Sequence, residues 1–124
     1  MLSNLVIHAS IPATNLDRAK KFYYEKLGFT PKSEEEGGLV YQCKDSWFLL
    51  YPSQFAGTAQ HTLAGWETSQ IEKDVAELKA RGVVFEEYDY PDFKTVNSID
   101  STGSRKAAWF KDSEGNILGI VQLG

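Results

Sequence analysis

Histidine and cysteine, which could bind a metal or do acid–base chemistry at a site, are rare and widely spaced in this sequence. The main candidates are His8, Cys43 and His61, together with the carboxylate Glu67. Imidazole and carboxylate groups ligate divalent metals, and an imidazole also transfers protons near neutral pH. The sequence has no zinc-type cysteine pair, and a lone cysteine is most often a small core residue. These residues therefore favour binding over catalysis.

Four polar residues allow two interpretations each. His8 is either a hydrogen-bonded histidine of a half-buried strand or a ligand contact. Glu67 is either an exposed carboxylate at a strand end or a residue that faces a pocket. Arg105 and Lys106 open a later strand and either lie on a solvated edge or attract an anionic ligand.

Aromatic residues on predicted strands are the more informative set. They are Tyr41, Trp47, Tyr51, Trp66 and Trp109. Side chains alternate along a strand, so Trp47, Leu49 and Tyr51 share one face. Buried Tyr and Trp need a partner for their polar ends, so the set fits either a core or the walls of a pocket for a flat or apolar ligand. Three more aromatics, in or near a long loop, either cover such a pocket or pack on their own strand: Tyr88, Tyr90 and Phe93.

Two amphipathic helices must help to position these residues. The first is predicted over residues 15–28, with apolar residues at helical spacing, Thr14 or Asn15 as its cap and Gly28 at its end. The second is predicted over residues 69–82, where Ser69 and Glu72 have the spacing of a capping box. The two segments have similar flanking sequences, which indicates an internal repeat.

Short apolar segments around each helix predict the strands. Their ranges are residues 5–11, 29–33, 39–43, 47–51, 62–67, 83–88, 105–111 and 117–123. Pro12 is expected to interrupt the first strand because proline cannot donate to a strand ladder. Residues 52–60 are interpreted as a linker and residues 89–103 as a long loop. The order β-α-β-β-β, repeated, predicts a single α+β domain over residues 1–124, with one module at about 1–55 and another at about 60–124.

Composition excludes several classes of partner. The net charge is -4, whereas nucleic-acid binding requires a basic face. No apolar segment approaches the roughly 20 residues that span a bilayer, and the first residues do not resemble a signal peptide. One cysteine allows no disulfide within the chain, which is consistent with a cytoplasmic location. We therefore expect a soluble cytoplasmic protein without nucleic-acid or membrane partners.

The sequence resembles the vicinal oxygen chelate superfamily, which includes glyoxalase I, bleomycin-resistance proteins and extradiol dioxygenases. The resemblance lies in three segments, residues 11–29, 74–82 and 110–118. It implies two βαβββ modules, each curling a mixed sheet into a cup, and it implies that the protein is a homodimer. A fold alone does not imply an activity.

The resemblance also implies where a divalent metal would bind in a catalytic member. His8 matches the first ligand position of the family, but the other positions fall near Leu49 or Leu50, near Leu63, and at Gly119. None of those residues ligates a metal. If a metal is bound, we expect a shifted set of His8, His61 and Glu67; otherwise we expect no cofactor.

The function most consistent with these residues is metal-independent binding of a small organic molecule, similar to the drug-sequestering branch of the family. The expected ligand contacts are His8, Tyr41, Trp47, Tyr51, Trp66, Glu67 and Trp109. The alternative is a metal-dependent lyase or isomerase of the glyoxalase type, or a dioxygenase. A third interpretation is a protein-interaction member without a ligand.

Overall fold

A computed structural model describes all residues from 1 to 124 and contains two helices and two sheets. The helices are α1 (Leu16–Glu25) and α2 (Ile71–Ala80). The strands are β1 (Ala9–Ala13), β2 (Ser33–Glu35), β3 (Gly38–Cys43), β4 (Ser46–Pro52), β5 (Ala64–Glu67), β6 (Asp89–Tyr90), β7 (Phe93–Val96), β8 (Ile99–Asp100), β9 (Lys106–Lys111) and β10 (Ile117–Gln122). The α+β fold predicted from the sequence is confirmed.

The two sheets repeat one topology. The first has the order β1-β4-β3-β2, and the second has the order β5-β10-β9-β8-β7-β6. In each, the strand before the helix is an edge strand that pairs in parallel with the last strand of the half, β1 with β4 and β5 with β10. The other pairs are antiparallel.

Both helices begin close to their predicted starts, but only one cap is as expected. The side chain of Asn15 accepts a hydrogen bond from the Arg18 N–H, which confirms it as the cap of α1. The capping box predicted for α2 is wrong: Gln70 is the cap residue and makes no side-chain cap bond. Instead the Thr68 hydroxyl accepts from the Gln70 N–H and donates to the Asp74 carboxylate. The Thr68 hydroxyl thus makes the hydrogen bonds at the start of α2 that were predicted for Ser69.

The predicted first strand is displaced, because β1 begins at Ala9 and continues through Pro12 to Ala13. The expected interruption at Pro12 is wrong. Because β1 is an edge strand, the missing N–H of proline leaves no partner unpaired. The carbonyl of Pro12 accepts a hydrogen bond from the Asn116 side chain at 2.7 Å.

Three other local predictions are corrected by the structure. Residues 29–33 are not a strand, since β2 starts only at Ser33. Residues 83–88 form only an isolated bridge, between Phe85 and Phe110. The loop predicted over residues 89–103 contains β6, β7 and β8 instead. The tight turn between β7 and β8 places Asn97 and Ser98 at φ of 53° and 74°, a conformation that the sequence pattern did not indicate.

The core lies on the helix-covered faces of both sheets and forms one cluster. It contains Ile11, Tyr23, Tyr41 and Leu50 from the first half and Ile71, Val75, Phe110 and Leu118 from the second, among others. The opposite face of β4 carries Trp47, Leu49 and Tyr51, which are more exposed than the core residues between them.

A polar turn between β9 and β10, residues 112–116, fastens the second half to the first; we call it the clasp. The buried Asp112 carboxylate accepts hydrogen bonds from the Tyr23 hydroxyl at 2.7 Å, from two backbone N–H groups and from the Asn116 amide. The fully buried Glu114 carboxylate accepts from the Arg18 guanidinium at 2.9 and 3.0 Å and from the Asn15 N–H at 2.8 Å. The clasp thereby fixes the start of α1 and the end of β1 against the second sheet.

Candidate functional site

A cleft opens where the two halves of the chain meet at the starts of β1, β4 and β5. Its volume is about 410 Å³, and nine of its twelve lining residues are apolar. Ile7, His8, Ala9 and Ile11 line it from the first strand and the segment before it, and Ser46, Trp47 and Phe48 line it from β4. Leu63 to Trp66 close the opposite side. Such a site is suited to an apolar ligand with few polar groups.

His8 and Trp47 form a stacked pair at the mouth of the cleft. Their ring centroids are 3.7 Å apart and the ring planes differ by 23°. The pairing of Ala9 with Phe48 places His8, one residue earlier, beside Trp47. Trp47 is 36% exposed, and His8 is also exposed rather than half-buried in a strand. An accessible indole with a second ring stacked on it is able to hold a flat molecule.

Trp66 borders the cleft from β5 and belongs to the core face of its sheet. Its ring stacks near Phe29, with centroids 6.0 Å apart, and near Phe110, with centroids 6.4 Å apart. It is only half-buried, and its side chain lines the cleft. Cys43 is also half-buried and lines the same cleft.

Tyr41 lies elsewhere, fully buried in the core of the first half. Its ring stacks on Phe48 with centroids 5.0 Å apart. Burial, together with the nearby charge of Glu34, raises the pKa of Tyr41 to about 12. Its hydroxyl has no hydrogen-bond partner. Tyr41 does not line the cleft, whereas its stacking partner Phe48 does.

Trp109 lies on the other face of the second sheet, in a separate aromatic cluster. Its ring centroid is 5.0 Å from that of Phe93 and 5.8 Å from that of Tyr88, and Tyr88 in turn stacks near Tyr90. Burial, with the nearby Glu86 and Tyr90, raises the pKa of Tyr88. The loop aromatics therefore cover Trp109 and not Trp47.

Gly119 leaves room for the Trp109 side chain. The two residues are directly opposite each other on β10 and β9. A Cβ atom on Gly119 would lie 3.3 Å from the Trp109 ring, so a larger residue would push the indole away. The position at which the family resemblance implies a metal ligand therefore has no side chain and lies against the Trp109 indole.

The residues expected for a shifted metal site are not brought together. His61 is exposed, with Nδ1 3.1 Å from the carbonyl of Thr62, and Glu67 lies outside the cleft that holds His8. No group of three or more His, Cys, Asp or Glu side chains is close enough to hold a metal ion. Leu63, at one implied ligand position, lines the cleft beside His8 with an apolar side chain. The residues of this cleft do not fit a divalent metal.

Several cleft residues were not singled out from the sequence. Ile7, Ser46 and Gly65 belong to no recognisable motif. They line the cleft because β1, β4 and β5 start close to one another. No local sequence signal marks such residues. The order of the strands in the two sheets is what brings them together.

Comparison with known proteins agrees with this geometry. A model of the Glyoxalase/Bleomycin resistance protein/Dioxygenase superfamily matches residues 5–120. The chain belongs to this superfamily. A search of curated proteins finds no match. No helix of the structure is long and apolar enough to cross a membrane.

Several solved structures share the fold. UcmS2 is 20% identical with a TM-score of 0.74, and the alignment covers 94% of this chain and 96% of that one. TnmS3, an antibiotic binding protein from Streptomyces sp. CB03234, is 24% identical with a TM-score of 0.68, covering 97% and 96%. A lactoylglutathione lyase from Agrobacterium tumefaciens is 15% identical with a TM-score of 0.67, covering 95% and 92%. At these identities the similarity establishes the fold alone.

Proposed function

We propose that this protein binds a small, flat, largely apolar organic molecule in the cleft, without a metal. The observation that carries the proposal is the stacked His8–Trp47 pair, which leaves an accessible indole at the mouth of an apolar cavity. Exposed aromatic surface in a concave site gains free energy when a ligand covers it. The antibiotic-binding activity named for TnmS3, a protein of the same fold, supports the same class of function.

The few polar groups of the cleft are suited to orienting a ligand rather than to catalysing a reaction. His8, Ser46 and the Cys43 thiol are its polar groups. The His8 Nδ1 lies 3.3 Å from the carbonyl of Ala9, which favours the tautomer protonated at Nδ1 and leaves Nε2 as an acceptor. A ligand hydroxyl or amide N–H would donate to that nitrogen while the ligand ring stacks on Trp47.

Nile red, a neutral planar dye that fluoresces in apolar surroundings, tests this site. We expect saturable binding to chelator-treated protein. The Kd of Trp47→Ala should be about five- to thirtyfold higher, since a buried aromatic contact contributes on the order of 1–2 kcal/mol. Phe55→Ala, which removes another exposed aromatic outside the cleft, should leave the Kd unchanged. Equal weakening in both variants would contradict the proposal.

Metal content gives an independent test. After incubation with Zn, Ni, Mn or Fe(II) and desalting, plasma mass spectrometry should find far less than one metal per chain. Near-stoichiometric metal that is lost in His8→Ala would overturn the metal-free proposal. It would favour the lyase or dioxygenase alternative.

The surface area of the single chain supports the homodimer. The chain exposes 8110 Å², whereas a compact monomer of its mass exposes about 6,700 Å². The excess of about 1,400 Å² exceeds the roughly 800 Å² per partner of a standard interface. Leu5, Val6 and Ile7 are 65%, 77% and 90% exposed, which is unusual for three consecutive large apolar residues. We propose that a second copy of the chain covers Leu5 and Val6, next to the cleft that Ile7 lines.

Light scattering after size exclusion tests the dimer with a matched pair of variants. Val6→Asp and Val84→Asp each place a charge at an exposed valine, 77% and 83% accessible. We expect the first to dissociate the dimer and the second to leave it intact. A monomeric wild-type protein would contradict the dimer and leave the cleft proposal standing. A cytoplasmic location stays a prediction.

A further inference from the structure

A second cavity lies on the helix side of the molecule, and none of the functions above uses it. It has a volume of about 300 Å³ and is bounded by the end of α1, by α2 and by β5; we call it the helix groove. Its floor is apolar, formed by Leu27, Phe29, Trp66, Leu78, Phe110 and Ile120. It is separate from the cleft, and only Trp66 lines both.

Aromatic rings dominate the floor of the helix groove. The planes of Trp66 and Phe29 differ by 26°, and those of Trp66 and Phe110 by 12°. Phe29 and Trp66 are both only half-buried, whereas Phe110 is 1% exposed. The accessible indole and phenyl faces offer a place for a flat ring, and such faces also attract a cation.

The rim of the helix groove is predominantly acidic. Glu67, Asp74 and Glu77 line it, and Arg81 is the single cationic residue among the lining residues. Arg81 forms a salt bridge with Glu77 whose nitrogen–oxygen distance is 3.5 Å. The Asp74 carboxylate accepts hydrogen bonds from the Thr68 hydroxyl and the Gln70 amide. Glu67 has no cationic side chain within 4.0 Å. Lys26 lies against Gly82 but does not line the groove.

We infer that the helix groove is a second binding site, for a small aromatic cation. The ring would pack on Phe29 and Trp66, and the ammonium group would lie beside Glu67 and Glu77. Glu67 thereby acquires a role in the groove that the cleft does not give it. The inference does not depend on the cleft ligand, because the two cavities have different linings and the cleft lacks the acidic residues of the groove.

Three naphthalene compounds of one shape test the inference. They are 1-naphthylmethylammonium, 1-naphthylmethanol and 1-naphthylacetate, which are positive, neutral and negative. Calorimetry with wild-type protein should give the cation the lowest Kd, by about fivefold or more over the alcohol, as expected for partly exposed charge and cation–π contacts. The acetate should bind weakest. Equal affinity for all three would overturn the inference.

Paired variants locate the binding. Glu67→Gln combined with Glu77→Gln should abolish the preference for the cation, whereas Glu35→Gln with Glu36→Gln, exposed residues outside the groove that remove the same charge, should preserve it. Leu78→Trp, which fills the groove, should weaken the cation at least tenfold. If that variant does not fold, amide shift mapping of wild-type protein replaces it, with perturbations expected near Leu78 and Arg81.

Trp47→Ala separates this site from the cleft. It should leave binding of the naphthyl cation unchanged while weakening Nile red. Loss of cation binding in Trp47→Ala, together with cation-induced shifts near Ala9 and Trp47 in the wild-type protein, would place the cation in the cleft. That result would overturn the inference without affecting the proposed function. Loss of Nile red binding alone would leave the groove proposal intact.

Discussion

The two halves of the chain meet at two places that are built in opposite ways. At the clasp, buried carboxylates are surrounded by donors, so that Asp112 alone accepts four hydrogen bonds. At the cleft, the surfaces are apolar and the rings of His8 and Trp47 remain accessible. A buried polar network fixes one geometry, whereas an apolar opening leaves contact area for a ligand. We therefore expect the clasp to stabilise the fold and the proposed ligand to bind in the cleft.

Removal of the central carboxylate should have the largest effect on stability. Asp112→Ala leaves the Tyr23 hydroxyl, two backbone N–H groups and the Asn116 amide without their acceptor in a buried place. We expect the free energy of unfolding, measured in urea, to fall by about 3 kcal/mol or more. Asp17→Ala, an exposed acid on α1, should change it by less than about 1 kcal/mol. Similar losses in both would remove the special role of the clasp.

Acid should weaken the clasp through Glu114. Burial alone would raise the pKa of this carboxyl, but the hydrogen bonds from Arg18, the Asn15 N–H and Ser113 lower it to about 2. Because the pKa of Glu114 is lower in the folded protein than its ordinary value of 4.5, the ionised carboxylate stabilises the fold at pH values above 4.5. This stabilisation is lost as the pH falls from 4.5 towards 2. Glu114→Gln should therefore be less stable than wild type at pH 6, with the difference shrinking towards pH 3. A difference in unfolding free energy between the two proteins that stays the same at every pH would contradict this.

Adjacent tyrosines on α1 give a finer test of the clasp. Tyr23 is fully buried and donates to Asp112, and burial raises its pKa well above 10, whereas Tyr24 is 62% exposed. Tyr23→Phe should cost about 1–2 kcal/mol of unfolding free energy, because it leaves a buried acceptor short of a donor. Tyr24→Phe should cost nothing measurable. Equal costs would show that the hydroxyl bond is unimportant.

The smallest expected effect concerns the cleft. His8→Ala removes one ring from the stacked pair but leaves Trp47 in place. The Kd for Nile red should rise about threefold, in line with a single exposed stacking contact. The free energy of unfolding should stay within about 0.5 kcal/mol, since His8 is exposed. A large loss of stability would mean that the pair serves the fold.

Local patterns predicted the helices well because their signals are local. The glycines at their ends, Gly28 and Gly82, have φ of 79° and 94°, as expected of helix terminators. The strand containing Pro12 was misplaced because only the sheet order reveals that β1 is an edge. Residues 83–88 have strand composition but contact β9 through a single bridge, so tertiary contacts decided their state.

The sequence indicated that aromatic residues matter, but it did not indicate which of them lie together. The expected aromatics separate into three environments: Trp47 at the cleft, Tyr41 in the core and Trp109 beneath Tyr88 and Phe93. Strand register and sheet order determine this separation, and neither is encoded in a short segment. The absence of a metal donor at Gly119, by contrast, is visible in the sequence itself.

The three tryptophans allow the most direct test of metal-free binding in the cleft. Their indole N–H signals in a ¹H–¹⁵N spectrum report on the cleft through Trp47, on its boundary with the helix groove through Trp66, and on the separate aromatic cluster through Trp109. During a Nile red titration in the presence of chelator, we predict that the Trp47 signal moves most and the Trp109 signal stays in place. Movement of Trp109 without Trp47, or no movement at all, would contradict the account.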